Sequence, residues 1–417
     1  MARRMARGVG AAASGVLTVG SAGIGVLTGY LGAVTLSALS TRAGGPGAAP
    51  APAPTGQRFA ILVPAHNEAL VIGRALAGFA ALDYPSELFQ VHVVADNCSD
   101  DTAGIVRAAG FQVHERADTV APGKGPALNW LYRRVRDGDW PFDAVVIIDA
   151  DTTLHPAFLR HVAAALDDGA AALQAFYGVR DAGDSTATAI RYAALACRHH
   201  VRPLGRTALG GSCGLFGNGM VFSTELMDGR QWTGHLTEDM EFQMELLLDG
   251  HCVAYVPGAV LEAEMPGTLD AAVTQNERWE LGRIQMARRY VPLLARRAIR
   301  QRRLRAASVD AVLDHLVPPL SVLIAANAAC GLGSLVTAVI GRRRIDRINL
   351  ATSAASSAVL VGHVLVGLRS VNAPPAVYGA LWKAPRMIMW KVGLWRRVLN
   401  DPGQVDWTRT TRNAEDR

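Results

Sequence analysis

Ala144-Val145-Val146-Ile147-Ile148-Asp149-Ala150-Asp151 is the stretch on which the reading of this chain turns. Ala144 to Ile148 is an unbroken apolar run of mostly β-branched residues, the pattern of a strand buried on both faces in a parallel sheet. Asp149 and Asp151 follow at i and i+2, so both carboxylates leave the strand end on the same side. Such a pair can hold one hard divalent cation through oxygen while substrate phosphates fill the other positions. Asp-x-Asp by itself is also a common solvated turn, and its place after an apolar strand is what gives it weight.

Working outward, Phe59 to Val63, Val91 to Ala95 and Phe111 to His114 are further short strand patterns, with helical patterns at Ala69 to Ala81 and Pro126 to Arg136 between them. This alternation predicts an α/β fold with a mostly parallel central sheet covered by helices. Strand patterns at Ala171 to Tyr177, Gly219 to Ser223 and Val253 to Val256 continue it with less regular spacing, and no internal repeat is present. Polar clusters end the apolar runs: Pro64-Ala65-His66-Asn67-Glu68, Asp96-Asn97-Cys98-Ser99-Asp100-Asp101 and Thr237-Glu238-Asp239. The carboxyl edge of a parallel sheet is where nucleotides bind, so these clusters point to a sugar-nucleotide site.

Each cluster has a chemical and a structural reading. Asp96, directly at a strand end, can accept a hydrogen bond from the N–H of a uracil-like base. Ser99, Asp100 and Asp101 read as a helix N-cap. Gly123-Lys124-Gly125 lets the backbone approach a ligand closely, and a cation before a helix N-terminus suits a diphosphate, although a solvated loop lysine fits the same residues. Lys124 is one of three lysines, with Lys383 and Lys391, in a chain that otherwise uses arginine. Glu238 and Asp239 open the helix Met240 to Leu248, where acids also serve the helix dipole. Gln275, Arg278 and Trp279, at i, i+3 and i+4, share one helical face that joins an amide, a guanidinium and an indole, groups suited to a sugar and a pyrophosphate.

At 417 residues and 50% hydrophobic, the chain has room for one catalytic domain and membrane segments. Leu316 to Ile340 and Ile348 to Leu368 carry no formal charge, and each is long enough to cross a hydrocarbon core of about 30 Å. Gly8 to Ser40 is uncharged but rich in Gly, Ala and Ser; it is longer than the apolar region of a signal peptide and is read as an uncleaved anchor. Ala43 to Gln57 is an Ala/Pro/Gly linker. The net charge is +6, and Arg296, Arg297, Arg300, Arg302, Arg303 and Arg305 would face anionic headgroups beside the next span. With no nucleic-acid motif present, these arginines are not assigned to nucleic acid. Cys98, Cys197, Cys213, Cys252 and Cys330 are odd in number and lack a C-x-x-C pair, which suggests neither a disulfide framework nor a zinc site. Val377 to Leu399 mixes tryptophans with Lys and Arg, the composition of a helix lying in the membrane interface, and Pro385 argues against one uninterrupted helix.

The ordered set from Phe59 to Trp279 resembles the family 2 inverting glycosyltransferases with a GT-A fold, in particular the membrane-embedded branch that includes cellulose, hyaluronan, chitooligosaccharide and poly-N-acetylglucosamine synthases. The resemblance implies that Pro64, His66, Asn67, Glu68 and Asp96 hold the nucleoside and that Lys124 lies near the diphosphate. It implies that Asp149 and Asp151 bind Mg²⁺ or Mn²⁺, that Asp239, beside Glu238, is the catalytic base, and that Gln275, Arg278 and Trp279 are the Q-x-x-R-W motif. Phe216-Gly217-Asn218-Gly219-Met220 falls where that branch has an acceptor loop. Two features differ from the branch: fewer spans follow the domain, and Asp-Asn-Cys-Ser-Asp-Asp replaces Asp-Asp-Gly-Ser.

The implied organisation is a membrane anchor (1–42), a linker (43–57), a catalytic domain (58–290), a basic interfacial segment (291–312), two transmembrane helices (313–370), and an interfacial helix with a C-terminal tail (371–417). The implied activity is transfer from a nucleotide-sugar donor, a UDP-sugar, to a growing β-linked glycan, with export partner proteins. Single addition to a lipid acceptor and a non-catalytic nucleotide-sugar-binding subunit are the alternatives. The expected location is the plasma membrane, multi-pass, with the catalytic domain cytoplasmic.

Overall fold

A computed structural model describes residues 2–41, 45–47, 52–53, 55–265, 268, 272–302, 305–341 and 343–400. The expected tail after residue 400, part of the linker and Arg303 lie outside these residues. The chain begins with α1 (Ala2–Ser40) and enters the domain through β1 (Phe59–Ala65), α2 (Ile72–Ala80), β2 (Phe89–Asp96), α3 (Thr102–Ala108) and β3 (Gln112–Arg116). There follow α4 (Lys124–Arg136), β4 (Ala144–Ile147), β5 (Thr152–Leu154), α5 (Phe158–Asp167), β6 (Ala172–Val179) and α6 (Thr186–Ala196). A π-helical turn (Cys197–Val201) leads straight into α7 (Arg202–Ala208), then come β7 (Met220–Ser223), α8 (Thr224–Met227), α9 (Glu238–Asp249), β8 (Ala254–Ala263) and α10 (Val273–Arg300). The remainder is helical: α11 (Arg305–Leu316), α12 (Leu320–Gly341), α13 (Arg344–Ser370), α14 (Pro375–Ala380) and α15 (Ala384–Asn400).

The strands form one sheet in the order β3-β2-β1-β4-β7-β6-β8-β5. The pairs β1–β2, β2–β3, β1–β4 and β6–β8 are parallel, whereas β7 opposes β4 and β6, and β5 opposes β8. The sheet is therefore mostly parallel, as its apolar strands require. Both faces are covered: Ile61, Val63 and Val146 pack with Phe79 of α2 and Phe158 of α5, while Leu62, Val145 and Ile147 pack with Leu128 and Leu131 of α4. That double burial is why β1 and β4 read as continuous apolar runs. Parallel pairing brings the ends of β1, β2 and β4 to one edge, which Ala65, Asp96 and Asp149 share. β5, too short to leave a pattern, was not anticipated.

Among the described residues three helices are long and apolar enough to cross a membrane: Gly10–Ser40 within α1, α12 and α13. They meet through a polar seam in which Thr28 Oγ1 bonds Ser356 Oγ at 2.9 Å, Thr35 Oγ1 bonds His363 Nδ1 at 2.7 Å, and Asn349 Nδ2 donates to Thr18 Oγ1 at 2.9 Å. The domain sits directly on α1, since a Cβ at Gly205 of α7 would lie 2.0 Å from the Val34 carbonyl oxygen.

Two segments differ from expectation. The boundary at residue 291 falls inside the continuous helix α10, whose apolar face (Met286, Tyr290, Leu294) packs with Met240 and Met244 of α9 and Ala307 and Ala311 of α11. Arg297 and Arg305 turn onto the backbone carbonyls of Leu248 and Ala298 rather than outward. At the C-terminus the interruption expected near Pro385 falls at the 3₁₀ turn Leu381–Lys383, and α15 packs Leu394 and Val398 against Leu281 of α10.

Candidate active site

A cavity of about 770 Å³ opens at the carboxyl edge of β1, β2 and β4. Of the residues singled out in the sequence, Pro64, His66, Glu68, Asp96, Lys124, Asp149, Asp151, Glu238, Asp239, Gln275, Arg278 and Trp279 all line it. Asn67 does not. With φ at 56°, it turns its Oδ1 to accept from the backbone N–H of Ser99 at 2.7 Å and of Asp100 at 3.3 Å, so it braces two loops. His66 Nδ1 bonds the Asp96 carbonyl at 2.7 Å, which ties the ends of β1 and β2 together.

Asp96 and Arg116 face each other in the β2–β3 register, and their carboxylate and guanidinium meet at 2.5 Å with side chains only 8% and 5% exposed. Asn97 Nδ2 donates to the same Asp96 oxygen, Oδ1, at 3.3 Å. Among the described residues Oδ2 takes no hydrogen bond and is left for a base. Sequence reasoning missed Arg116; the signal was an arginine at the end of the neighbouring strand.

Lys124 opens α4 and reaches across to the Asp149 carboxylate, and it also donates to the Gly217 carbonyl at 2.6 Å. Burial opposes its charge, but Asp149 and Glu238 outweigh that, and its pKa is raised. Gly217 adopts φ +74°, where a side chain would be strained, and a Cβ there would stand 3.4 Å from Asp239 Oδ2 and 3.7 Å from Lys124 Nζ. The loop carrying it is held by two buried amides, Asn218 within the loop itself and Gln174, which the sequence pattern did not flag. Gln174 of β6 accepts from Phe216 N–H at 3.0 Å and donates to the Asn218 carbonyl at 2.8 Å, while Asn218 Oδ1 accepts from Asp149 N–H at 3.2 Å. A glutamine inside an otherwise apolar strand was the available sign.

Glu238 and Asp239 start α9 half-buried, side by side. Burial and the charge of Asp239 push Glu238 up to about 7. Burial also raises Asp239, but Met240 N–H donates to its Oδ1 at 2.8 Å and Lys124 favours its anion, so Asp239 is the member better kept charged. The close approach of α10 brings Gln275, Arg278 and Trp279 to the same place: a Cβ at Gly282 would lie 2.3 Å from Thr237 Cγ2. Glu241, 1% exposed, fixes the pair of helices by accepting from Arg289 at 2.5 Å. The Arg278 guanidinium makes no hydrogen bond among the described residues, and Gln275 Oε1 is buried without a partner, so both are available to a ligand.

No group of three or more His, Cys, Asp and Glu side chains converges on a point among the described residues. Asp149 and Asp151 alone are a hard-oxygen pair of the kind that suits a divalent cation completing its sphere with phosphate and water. Beyond Asp239 the cavity continues past a stack in which His199 lies 5.0 Å from the Tyr177 ring and 4.3 Å from Phe216. It ends on Leu31, Val317, Leu320 and Ile324 at the apolar helices.

A mannosyltransferase from Pyrobaculum calidifontis, solved with GDP-Man and Mn²⁺, superposes with a TM-score of 0.50 at 20% identity, covering 86% of this chain and 98% of that one. The domain thus has the GT-A fold expected from the sequence. A β-monoglucosyldiacylglycerol synthase of Trichormus variabilis is 25% identical over 320 residues, 75% of this chain and 64% of that protein. An N-acetylglucosaminyltransferase of Rhizobium leguminosarum bv. viciae is 25% identical over 239 residues, 52% of this chain and 54% of its own length. The chain spans less than two thirds of the length of these curated relatives. The profile described as "Glycosyltransferase like family 2" matches residues 55–282. With more than half of its length in that match, and with the strand-end acids, Asp239 and the Q-x-x-R-W residues gathered in one cavity, the chain belongs to the family 2 glycosyltransferases.

Proposed function

We propose that this glycosyltransferase moves a sugar from a UDP-sugar onto a hydroxyl of a membrane-borne lipid, with inversion at the sugar carbon. The observation that carries this reading is the continuity of the cavity, from Asp96 and Asp149 at the nucleotide edge, past Asp239, to Leu31, Val317 and Leu320 on the apolar helices. An acceptor with an apolar body and a reactive hydroxyl fits that gradient. The name of the Trichormus relative, a diacylglycerol glucosyltransferase, supports it. Extension of a β-linked glycan is the second reading, favoured by the Tyr177, His199 and Phe216 rings, on which a sugar acceptor would stack.

In this reading Asp239 takes the proton from the acceptor hydroxyl as its oxygen attacks C1 of the donor sugar, opposite the departing diphosphate. Lys124 and Arg278 offset the charge that gathers on the diphosphate. Asp149 and Asp151 would hold Mg²⁺ or Mn²⁺, which when bound supplies further neutralisation of the leaving group. Asp96 Oδ2 accepts from the base, and Gln275 and Trp279 position the sugar.

Membranes bearing the protein, incubated with labelled nucleotide sugars with and without chelator, should yield a product of lipid mass plus one sugar, and only when divalent metal is present. A ladder of masses would favour the glycan reading, and full transfer in excess chelator would remove the metal from Asp149 and Asp151. Nucleotide sugars are cytoplasmic, so the catalytic domain is placed in the cytoplasm. This leaves Arg3, Arg4 and Arg7 on the far side, against the positive-inside tendency. Cleavage by external protease at a site inserted after Arg58, in intact cells, would overturn that orientation.

A further inference from the structure

Arg198 stands on the π-helical turn between α6 and α7, lines the cavity, and makes no hydrogen bond or ion pair among the described residues. Single π turns of this kind recur at functional sites. The neighbouring cations are anchored. Arg202 Nε donates to Asp314 Oδ1 at 3.1 Å, Arg283 donates to the Val317 carbonyl at 2.5 Å, and Lys391 pairs with Glu280 at 3.0 Å. With Asp239 included, these four cations meet three carboxylates at this end of the cavity, a net positive charge that suits an anionic group, and the planar guanidinium fork suits the oxygens of a phosphate ester.

This cluster is separate from the diphosphate end. Arg198 is followed by His199, which stacks on Phe216, while Arg202 is tied to Asp314 of α11 and Arg283 donates to the Val317 carbonyl just ahead of α12. An anion at Arg198 therefore lies toward the apolar helices. There the wall turns apolar at Val317, Leu320, Ile324 and Ile388.

We propose that Arg198, with Arg202 and Arg283 behind it, binds a phosphate carried by the acceptor, which makes the acceptor an anionic lipid whose free hydroxyl is presented to Asp239. This rests on the lipid-acceptor reading above and adds the headgroup class to it.

The test is calorimetric titration of the detergent-solubilised full chain with dioctanoyl phosphatidate, dioctanoylglycerol, inorganic phosphate and UDP. Phosphatidate should bind at least about tenfold more tightly than dioctanoylglycerol or inorganic phosphate. Arg198→Gln should weaken it about ten- to a hundredfold with UDP unchanged, and Arg198→Lys should recover part of the loss. Equal affinity for phosphatidate and dioctanoylglycerol would overturn the proposal, as would inorganic phosphate binding as tightly as the lipid. Loss of UDP affinity in Arg198→Gln, with the lipid unaffected, would reassign the residue to the donor. Nucleotide-sugar turnover is measured on the same preparations with dioctanoyl phosphatidylglycerol, which carries a phosphate and free hydroxyls: a wild type that binds phosphatidate through Arg198 but transfers no sugar to phosphatidylglycerol defeats the lipid-acceptor reading and leaves the phosphate site standing.

Discussion

Gly282→Ala tests whether the seat of α10 on α9 sets the rate. The added methyl would begin 2.3 Å from Thr237 Cγ2 and 2.5 Å from Thr237 Oγ1. Carbon pairs settle near 3.6 Å, so the helices must part by about 1.3 Å at this point. Thr237 immediately precedes Glu238 and Asp239, and Gly282 lies one turn from Arg278 and Trp279, so the shift separates the base from the motif meant to hold the donor. A misplacement of about 1 Å costs roughly 10²-fold in rate. Single-turnover transfer by Gly282→Ala should therefore fall by about that factor while UDP binding, carried mainly by β1, β2 and α4, stays within about threefold. Thr237→Ala removes the two nearest crowding atoms and leaves its Cβ at 2.9 Å, so it relieves most of the clash, and because Thr237 Oγ1 has no hydrogen-bond partner among the described residues the truncation loses little. The double variant should regain at least about tenfold of the lost rate. Wild-type transfer by Gly282→Ala, or no recovery in the double variant, would refute the claim that this contact positions the site.

Asp239→Asn keeps the shape but cannot take the proton, so turnover should drop about 10²- to 10⁴-fold with donor affinity nearly unchanged; near-normal transfer would remove the base assignment. Glu238 gives a signed pH effect. Its folded pKa of about 7 lies above its ordinary 4.5, so the native state holds the extra proton and wild-type stability falls as pH rises between those values. Glu238→Gln should accordingly gain melting temperature relative to wild type at pH 8 but not at pH 4, and a difference independent of pH would contradict the raised pKa.

The sheet was legible because β1, β2 and β4 are buried on both faces and so spell themselves as apolar runs, with their acids at the edge where a parallel sheet ends. That Asp149, Lys124, Asp239 and the Q-x-x-R-W face line one cavity was foreshadowed by residue type and spacing. What stayed hidden depends on partners distant in sequence. Arg116 matters because register sets it against Asp96, and Gln174 because a loop some forty residues later needs its amide. Arg198 matters because a π turn aims it into the cavity, a geometry without a residue signature. Asn67 shows the converse: a polar residue in a binding-edge cluster also serves a turn.

The seam between α1 and α13 bears on how the protein is assembled. Thr28 and Thr35 find Ser356 and His363 across 328 residues of sequence, so α1 is synthesised long before its partners exist. Meanwhile its hydroxyls are not stranded: Thr18, Thr28 and Thr35 each donate to the carbonyl one turn back, at 2.8, 2.9 and 2.6 Å. The helix can thus wait in lipid as a self-satisfied rod. Its oxygens become acceptors only when α13 arrives. Docking of α13 then completes the seam with α1, the helix on which α7 rests, so this part of the catalytic cavity's support is finished only once α13 has emerged.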